Sequence, residues 1–234
     1  MKNVITCKNC KAENPYFSYI CNNCRSYLRE RVVNIDLWKM LGTIIESPTK
    51  AFSNIIHAEH KNFISLLYFL FAIKFFINIL MIDDPVFGSI KVLNNVSLLF
   101  LLSLIVPIVV ICVFALLLKF VTKLLKVQTR FKDNLSILIY SLVPSSIALV
   151  FFFPVELVLF GSALFISNPS PFLLKQNPAY VMSALEGLMV IWSFVLTFFA
   201  IKSATKSVIF SLISSILFHG IMIGLLLVLT KIFS

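Results

Sequence analysis

Polar and apolar positions are distributed unevenly along this chain. Up to residue 61 the two are mixed; beyond it, long apolar runs alternate with short polar connections. A helix that crosses a bilayer needs about 20 mainly apolar residues, ~30 Å at 1.5 Å per residue. Five runs meet that length, at about residues 62–82, 96–118, 135–160, 181–201 and 207–229. The third is longer than required and is punctuated by Pro144 and Pro154, which permits tilting, kinking or partial re-entry. The pattern predicts an all-α polytopic membrane protein of about five transmembrane helices, with the membrane domain over residues 62–234.

Residues 31–61 show a different period. Leu37, Leu41 and Ile44 recur at i, i+4, i+7, with Trp38 and Met40 alongside and Lys39 and Glu46 charged. Ser47-Pro48 supplies an N-cap and a first-turn proline for a second helix, whose Ala51, Phe52, Ile55 and Ile56 share a face. Two amphipathic juxtamembrane helices are expected. They would either lie in the headgroup layer with Trp38 as an interfacial anchor or form a linker packed on the membrane domain. His57 and His60 are three apart, but no third metal ligand accompanies them, so they read as interfacial histidines.

The first 30 residues carry the strongest local signal. Cys7, Cys10, Cys21 and Cys24 form two CxxC knuckles separated by ten residues. Two residues between cysteines let both sulfurs of a knuckle face one metal, and two knuckles complete the tetrahedral thiolate shell that zinc favours. Residues 11–20 suit a hairpin, with Asn14-Pro15 as the turn signal. So short a segment cannot bury a sufficient apolar core, so metal binding would supply most of its folding free energy. A small zinc ribbon of β-hairpin or knuckle type is expected over residues 1–30. Its four ligands leave no open coordination position, which points to a structural metal rather than a catalytic one. Cys112, within the second apolar run, reads as a small buried apolar residue.

Composition and charge then fix the class and suggest an orientation. Of 234 residues 59% are hydrophobic and 13% charged, against about a quarter charged in a soluble domain. The first ~35 residues lack the apolar core of a signal peptide. The net charge of +10 would suggest nucleic acid in a soluble protein, but here its placement follows topology. Sixteen of the twenty Lys and Arg lie in the N-terminal tail, the second connection (Lys119, Lys123, Lys126, Arg130, Lys132) and the fourth (Lys202, Lys206). Three, Lys91, Lys175 and Lys231, fall on the other side, and Lys74 lies within the first span. The positive-inside rule then places the N-terminus in the cytosol and the C-terminus outside, as an odd number of spans requires. A cytosolic location keeps the four thiols reduced, which favours metal over disulfides. The expected partners are the bilayer itself and a cytosolic protein met by the ribbon or the basic loops; nucleic acid is not expected.

Ionisable residues inside a membrane are functional candidates by default. Lys74 sits near the middle of the first span with Asn78 one turn further along the same face. Glu156 lies near the outer end of the third span and Glu186 about a turn into the fourth. Lys74 can pair with either carboxylate; by depth in the sequence Glu156 is the better match and Glu186 a poor one. Gly220 and Gly224 form a GxxxG pair beside His219 in the fifth span, a surface that lets a second helix approach closely, within one chain or in a homo-oligomer. Pro107 is expected to kink its helix, and Pro169, Pro171 and Pro178 to stiffen an outer loop. No phosphate-binding loop, GxSxG, HExxH or dinucleotide fingerprint occurs, and the inverted halves of many transporters are not apparent, so an enzyme is disfavoured.

Three stretches together resemble one known family. Ser47-Pro48-Thr49-Lys50-Ala51-Phe52 stands before the first span. The basic connection leads through Phe131-Lys132-Asp133-Asn134 into Ile139-Tyr140-Ser141-Leu142-Val143-Pro144. Ile191-Trp192 is followed by the turn between Lys202 and Lys206. Over roughly residues 36–230 the chain resembles the Yip family of Ypt-interacting membrane proteins, of prokaryotic type, with the ribbon as an N-terminal addition. The resemblance implies five spans with a cytosolic N-terminus. The Gly-Pro signature of eukaryotic members is missing, so their Rab-GTPase and trafficking role is not carried over. The expected function is a non-enzymatic membrane protein that recruits or organises partners at the cytosolic face. The alternative is a small transporter or channel-like subunit using Lys74, Asn78 and Glu156.

Overall fold

Five helical stretches long and apolar enough to cross a membrane dominate the fold, as the apolar runs require. The computed structural model describes residues 3–82, 95–165 and 170–233. Lys91 and Pro169 lie outside the described residues. At the N-terminus, strand β1 (Val4–Thr6) pairs antiparallel with β2 (Glu13–Pro15), in register Val4 with Pro15 and Thr6 with Glu13. The first CxxC knuckle itself closes this hairpin. Asn14 and Pro15, expected at a turn, lie in β2, and a new turn begins at Pro15, whose carbonyl accepts from the Ser18 N–H at 2.9 Å. Asn14 is not free to shape a turn because its side chain is already committed. Its Oδ1 accepts from the Asn22 N–H at 2.8 Å, and its Nδ2 donates to the Ala12 carbonyl at 3.0 Å.

Helix α1 (Leu37–Glu46) starts on Asp36, whose Oδ1 accepts from the Lys39 N–H at 3.1 Å. Helix α2 (Pro48–His57) begins directly after Ser47, with proline in its first turn where no N–H is missed. Met40 and Ile44 of α1 are buried, as are Ala51, Phe52, Ile55 and Ile56 of α2, and α1 packs on α2. Trp38, on the opposite side of α1, is 82% exposed.

The spanning helices are α3 (Ile64–Met81), α4 (Val96–Leu124), a compound third segment, α9 (Gln176–Thr205) and α10 (Val208–Phe233). The third differs from the single run at 135–160. Helix α5 (Phe131–Ser141) precedes it, the chain breaks at Leu142, and the segment proper is Val143–Phe165. Pro144 accounts for the break, because it lacks the N–H that would continue α5 by bonding the Tyr140 carbonyl and sits instead in the first turn of a new helix, where no N–H is missed. Beyond it come α6 (Val143–Ile147), one π-helical turn (Ala148–Phe152), α7 (Phe153–Phe160) and a 3-10 turn (Gly161–Phe165). The wide π turn lies just ahead of Pro154 and accommodates the hydrogen bond that a proline cannot make. Pro107, by contrast, sits inside a continuous α4. A short α8 (Pro171–Leu174) leads into α9.

The chain divides into two compact units. The first comprises Met1–Ser65, Ile111–Ser141 and Val195–Ile216, so the cysteine segment belongs with α1, α2, α5 and parts of α4, α9 and α10. Its core includes Phe52, Ile55, Leu138, Tyr140, Leu196 and Ile201, all fully buried, and α2 packs on α5. The second comprises Leu66–Val110, Leu142–Phe194 and Leu217–Ser234. Phe160, Leu164, Ala179 and Met182 form an apolar cluster there, flanked by Met81 and Leu185.

Candidate metal centre and buried polar sites

The two CxxC knuckles have the same backbone construction. The Lys11 N–H donates to the Cys7 carbonyl at 3.1 Å and the Arg25 N–H to the Cys21 carbonyl at 3.0 Å. Lys11 (φ 59°) and Arg25 (φ 56°) both adopt the left-handed conformation, which for a side-chain-bearing residue costs roughly 1–2 kcal/mol. Two such costs, one per knuckle, turn both sulfur pairs toward one point. All four Sγ atoms lie within 4.8 Å of one another, and Cys7–Cys24 and Cys10–Cys21 approach to 3.6 Å. A disulfide would need ~2.05 Å, and the cysteines are free. A tetrahedral thiolate shell with bonds of ~2.3 Å has sulfurs ~3.8 Å apart, close to what is seen. The Ser26 hydroxyl lies 3.1 Å from both Cys7 Sγ and Cys24 Sγ. The Cys10 backbone and the Ser26 hydroxyl hold the Cys7 thiol down to about 6, which favours the thiolate a metal needs. The four cysteines can therefore hold a metal ion.

The cysteine segment is anchored to the rest of the first unit. Asn3 Nδ2 donates to the Ala204 carbonyl at 2.6 Å, and the Tyr16 hydroxyl bonds Ser53 Oγ at 2.6 Å. The Arg130 guanidinium lies 4.5 Å over the Phe17 ring and Lys206 Nζ 5.0 Å over Tyr16. The basic connections thus bind the ribbon through cation–π contacts. The His57 ring packs against Tyr16 at 4.7 Å between centroids, tilted by 45°, rather than meeting His60 at a metal.

A buried ion pair that the charge pattern alone did not single out sits beside these contacts. Lys61 Nζ lies 3.0 Å from Asp133 Oδ1, with side chains only 1% and 5% exposed. Arg130 Nε also donates to Asp133, at 2.7 Å, and Lys61 donates to the Ile55 and Ile56 carbonyls. Burial pulls the Lys61 ammonium below its usual value, and Asp133 opposes that shift. One signal was available in the sequence: between Asp84 and Glu156, Asp133 is the single acidic residue, next to five cations.

In the second unit Lys74 finds a carboxylate, but not the one its depth suggested. Lys74 Nζ lies 2.6 Å from Glu186 Oε1. Gln176, rather than a residue near 181, opens α9, so Glu186 stands three turns into its helix instead of one. Glu156 is 3% exposed, its Oε2 has no hydrogen-bond partner, and it is near enough to feel both Lys74 and Glu186. Asn78 is half-buried on the same helix. His219 Nε2 is 3.3 Å from Ser193 Oγ. A Cβ built at Gly220 or Gly224 would meet nothing within 4 Å, so this pair makes no close helix contact among the described residues.

A profile of the Yip1 domain matches residues 42–229, from the middle of α1 to the last turns of α10. The chain belongs to the Yip1 family. The Yip1 domain therefore covers both short amphipathic helices after Gly42, the Lys61–Asp133 pair and all five apolar segments, while the four cysteines precede it. The family is one of membrane proteins that interact with other proteins and is not known for enzymatic activity. No curated protein and no solved structure matches the chain.

Proposed function

We propose that this Yip1-family protein is a non-enzymatic, multi-pass membrane protein that recruits or organises a protein partner at the cytosolic face. The N-terminus and the basic connections would be cytosolic and the C-terminus outside. The sixteen-to-three distribution of Lys and Arg supports that orientation. Zinc is the metal proposed for Cys7, Cys10, Cys21 and Cys24, in a structural role, on the strength of an all-sulfur shell with tetrahedral spacing. The observation that carries the reading is the anchoring of the ribbon. Asn3, Tyr16 and Phe17 tie it to Ala204, Ser53, Lys206 and Arg130, so ribbon and basic connections present one continuous surface. Ile20 (39% exposed) and Tyr27 (74% exposed) face outward from it, an aromatic and an aliphatic anchor of the kind that protein interfaces use.

The test is in-cell cross-linking with the full chain. Tyr27→Ala should remove the recovered partners while the purified variant keeps its metal and its melting temperature. Partners that survive both Tyr27→Ala and Ile20→Ser would sink the recruitment reading. A second reading, a transporter or channel-like subunit, is favoured by one observation, the buried Lys74–Glu186–Glu156 group. Reconstituted flux that Lys74→Leu abolishes and Tyr27→Ala leaves intact would move the assignment there. The open faces of Gly220 and Gly224 also leave room for a second copy of the chain, as a homo-oligomer.

A further inference from the structure

Between the ribbon and the end of α2 the first unit encloses a cleft of about 240 Å³. Phe17 and Ser18 line it from the ribbon turn, Arg29 from the stretch after the second knuckle, His57 and Glu59 from the end of α2, and Arg130 from the basic connection. It is smaller than the about 300–1,000 Å³ of drug-sized pockets, and its size suits a compact charged group.

The charges around it do not balance. Glu59 is engaged bidentately by Arg31, at 2.9 Å to each oxygen. Asp133 is shared between Lys61 and Arg130. Among the described residues no carboxylate remains within ion-pair distance of Arg29. Instead backbone carbonyls hold Arg29: Nη2 donates to Phe17 and His57, at 3.0 and 3.1 Å, and Nη1 to Glu30 at 3.1 Å. Its Nε is buried with no partner, and so is His57 Nε2. A buried donor left unpaired costs about 1–3 kcal/mol, and more for a charged group. Both residues line one cleft, beside a second guanidinium, and an oxyanion there would accept from Arg29 Nε and from His57 Nε2 when that nitrogen carries a proton.

The electrostatics agree with the geometry. Burial and the neighbouring Arg130 hold the Arg29 guanidinium below its usual value. Burial first, then Arg29, with a smaller push from Lys61 and against the opposing pull of Tyr16 and Asp133, bring the His57 imidazole down to about 4. Planar guanidinium forks suit tetrahedral oxyanions, and the cleft lies only a few residues before α3 begins at Ile64.

We propose that the Arg29–His57–Arg130 cleft is a binding site for a phosphate group. The ligand chemistry is a phosphate oxyanion accepting from Arg29 Nε and the Arg130 guanidinium, with the His57 imidazole at its edge. Two sources carry that chemistry, an anionic lipid headgroup and a soluble phosphate. The position before the first spanning helix makes both accessible.

The experiment uses the full chain with its metal bound, purified in detergent and in nanodiscs. In detergent, inorganic phosphate is titrated against chloride at equal ionic strength and the melting temperature recorded. In parallel, nanodiscs of phosphatidylcholine are compared with nanodiscs containing phosphatidic acid. A shift with inorganic phosphate supports the site and makes free phosphate sufficient. A shift with phosphatidic acid alone supports the site and assigns the headgroup. Arg29→Gln should weaken the response at least about tenfold, one charge-assisted hydrogen bond, whereas Lys39→Gln, an equal charge change on exposed α1, should not. Because Arg29 also braces the ribbon, Ser18→Asp provides a second variant. It places a tethered carboxylate at the cleft, and should raise the starting melting temperature and abolish the response. In labelled wild-type protein the His57 resonance, one of three histidines, should titrate higher when the ligand is present. A chloride response equal to phosphate with no phosphatidic acid effect, or a response indifferent to both Arg29→Gln and Ser18→Asp, overturns the proposal.

Discussion

At the scale of single residues, the Lys61–Asp133 pair is the most consequential contact in the first unit. Both side chains are removed from solvent; among the described residues Asp133 has two cations, Lys61 and the partly exposed Arg130, whereas Lys61 has one carboxylate. Removing Asp133 strands the buried Lys61 ammonium, at a cost of about 3–5 kcal/mol, removing Lys61 costs less because Arg130 still pairs Asp133, and replacing both with apolar groups is often near neutral. Asp133→Asn and Lys61→Met are each expected to lower the melting temperature of the detergent-solubilised protein. The Lys61→Met/Asp133→Leu double variant should recover much of the loss, a non-additivity that a double-mutant cycle measures directly. His57 makes a prediction of opposite origin. Its folded value of about 4 lies below the ordinary 6.5, so between these two the unfolded chain binds a proton that the folded chain does not. Stability should therefore fall as pH drops from about 6.5 to about 4, by roughly 1–3 kcal/mol. His57→Gln should flatten that part of the pH profile in phosphate-free buffer.

At the scale of elements, α1 and the compound third segment carry the argument. Helix α1 turns Met40 and Ile44 inward and leaves Trp38 and Ile45 exposed, at 82% and 63%. A helix so arranged beside a spanning helix presents an apolar side to the headgroup layer, where tryptophan is favoured. In a Trp192→Phe background, leaving one of the two tryptophans, Trp38 emission should be blue-shifted in vesicles and quenched by lipids brominated near the glycerol level. An unshifted emission, quenched by iodide alone, would put this face in water. The third segment shows how an apolar run is subdivided. The sequence 135–160 reads as one stretch, but Pro144 ends α5 at Ser141, and α5 then buries Asp133, Asn134, Ser136 and Ser141. Asn134 donates to the Ala115 carbonyl at 3.3 Å and Ser141 Oγ accepts from Thr197 at 2.9 Å. A helix with so many buried polar groups is matched to protein neighbours rather than to lipid.

At the scale of the whole molecule, the distribution of charge argues for one orientation. The five apolar segments are odd in number, and the basic connections at 119–132 and 202–206 both belong to the unit that contains the cysteine segment. Single cysteines introduced at Lys126 and Lys206, in a Cys112→Ser background, should resist a membrane-impermeant maleimide in intact cells. One introduced at Lys175 should react. The reverse pattern would invert the topology and, with it, the cytosolic placement of the ribbon. In permeabilised cells, where the reagent reaches both sides, the four native cysteines should react only after chelation if metal holds them.

What the sequence determined is whatever depends on local period and spacing. Five apolar runs of spanning length, a CxxC–CxxC module and two amphipathic helices are each legible because the cause, burial of a run or convergence of a knuckle, lies within some twenty-five residues. The Yip1 resemblance is equally local, carried by short stretches around Ser47-Pro48, Phe131 and Trp192. What only the tertiary structure decided is which distant charges meet. Lys61 and Asp133 are seventy-two positions apart, Lys74 and Glu186 a hundred and twelve. The partner of a buried cation is set by helix starts, rotation and depth. A shift of a few residues in where α9 begins changes which carboxylate stands level with Lys74. The Arg29–His57–Arg130 cleft is further still from the sequence. It exists because the two knuckles and one cation–π contact bring three separate segments together, and no periodicity in any one of them records that meeting.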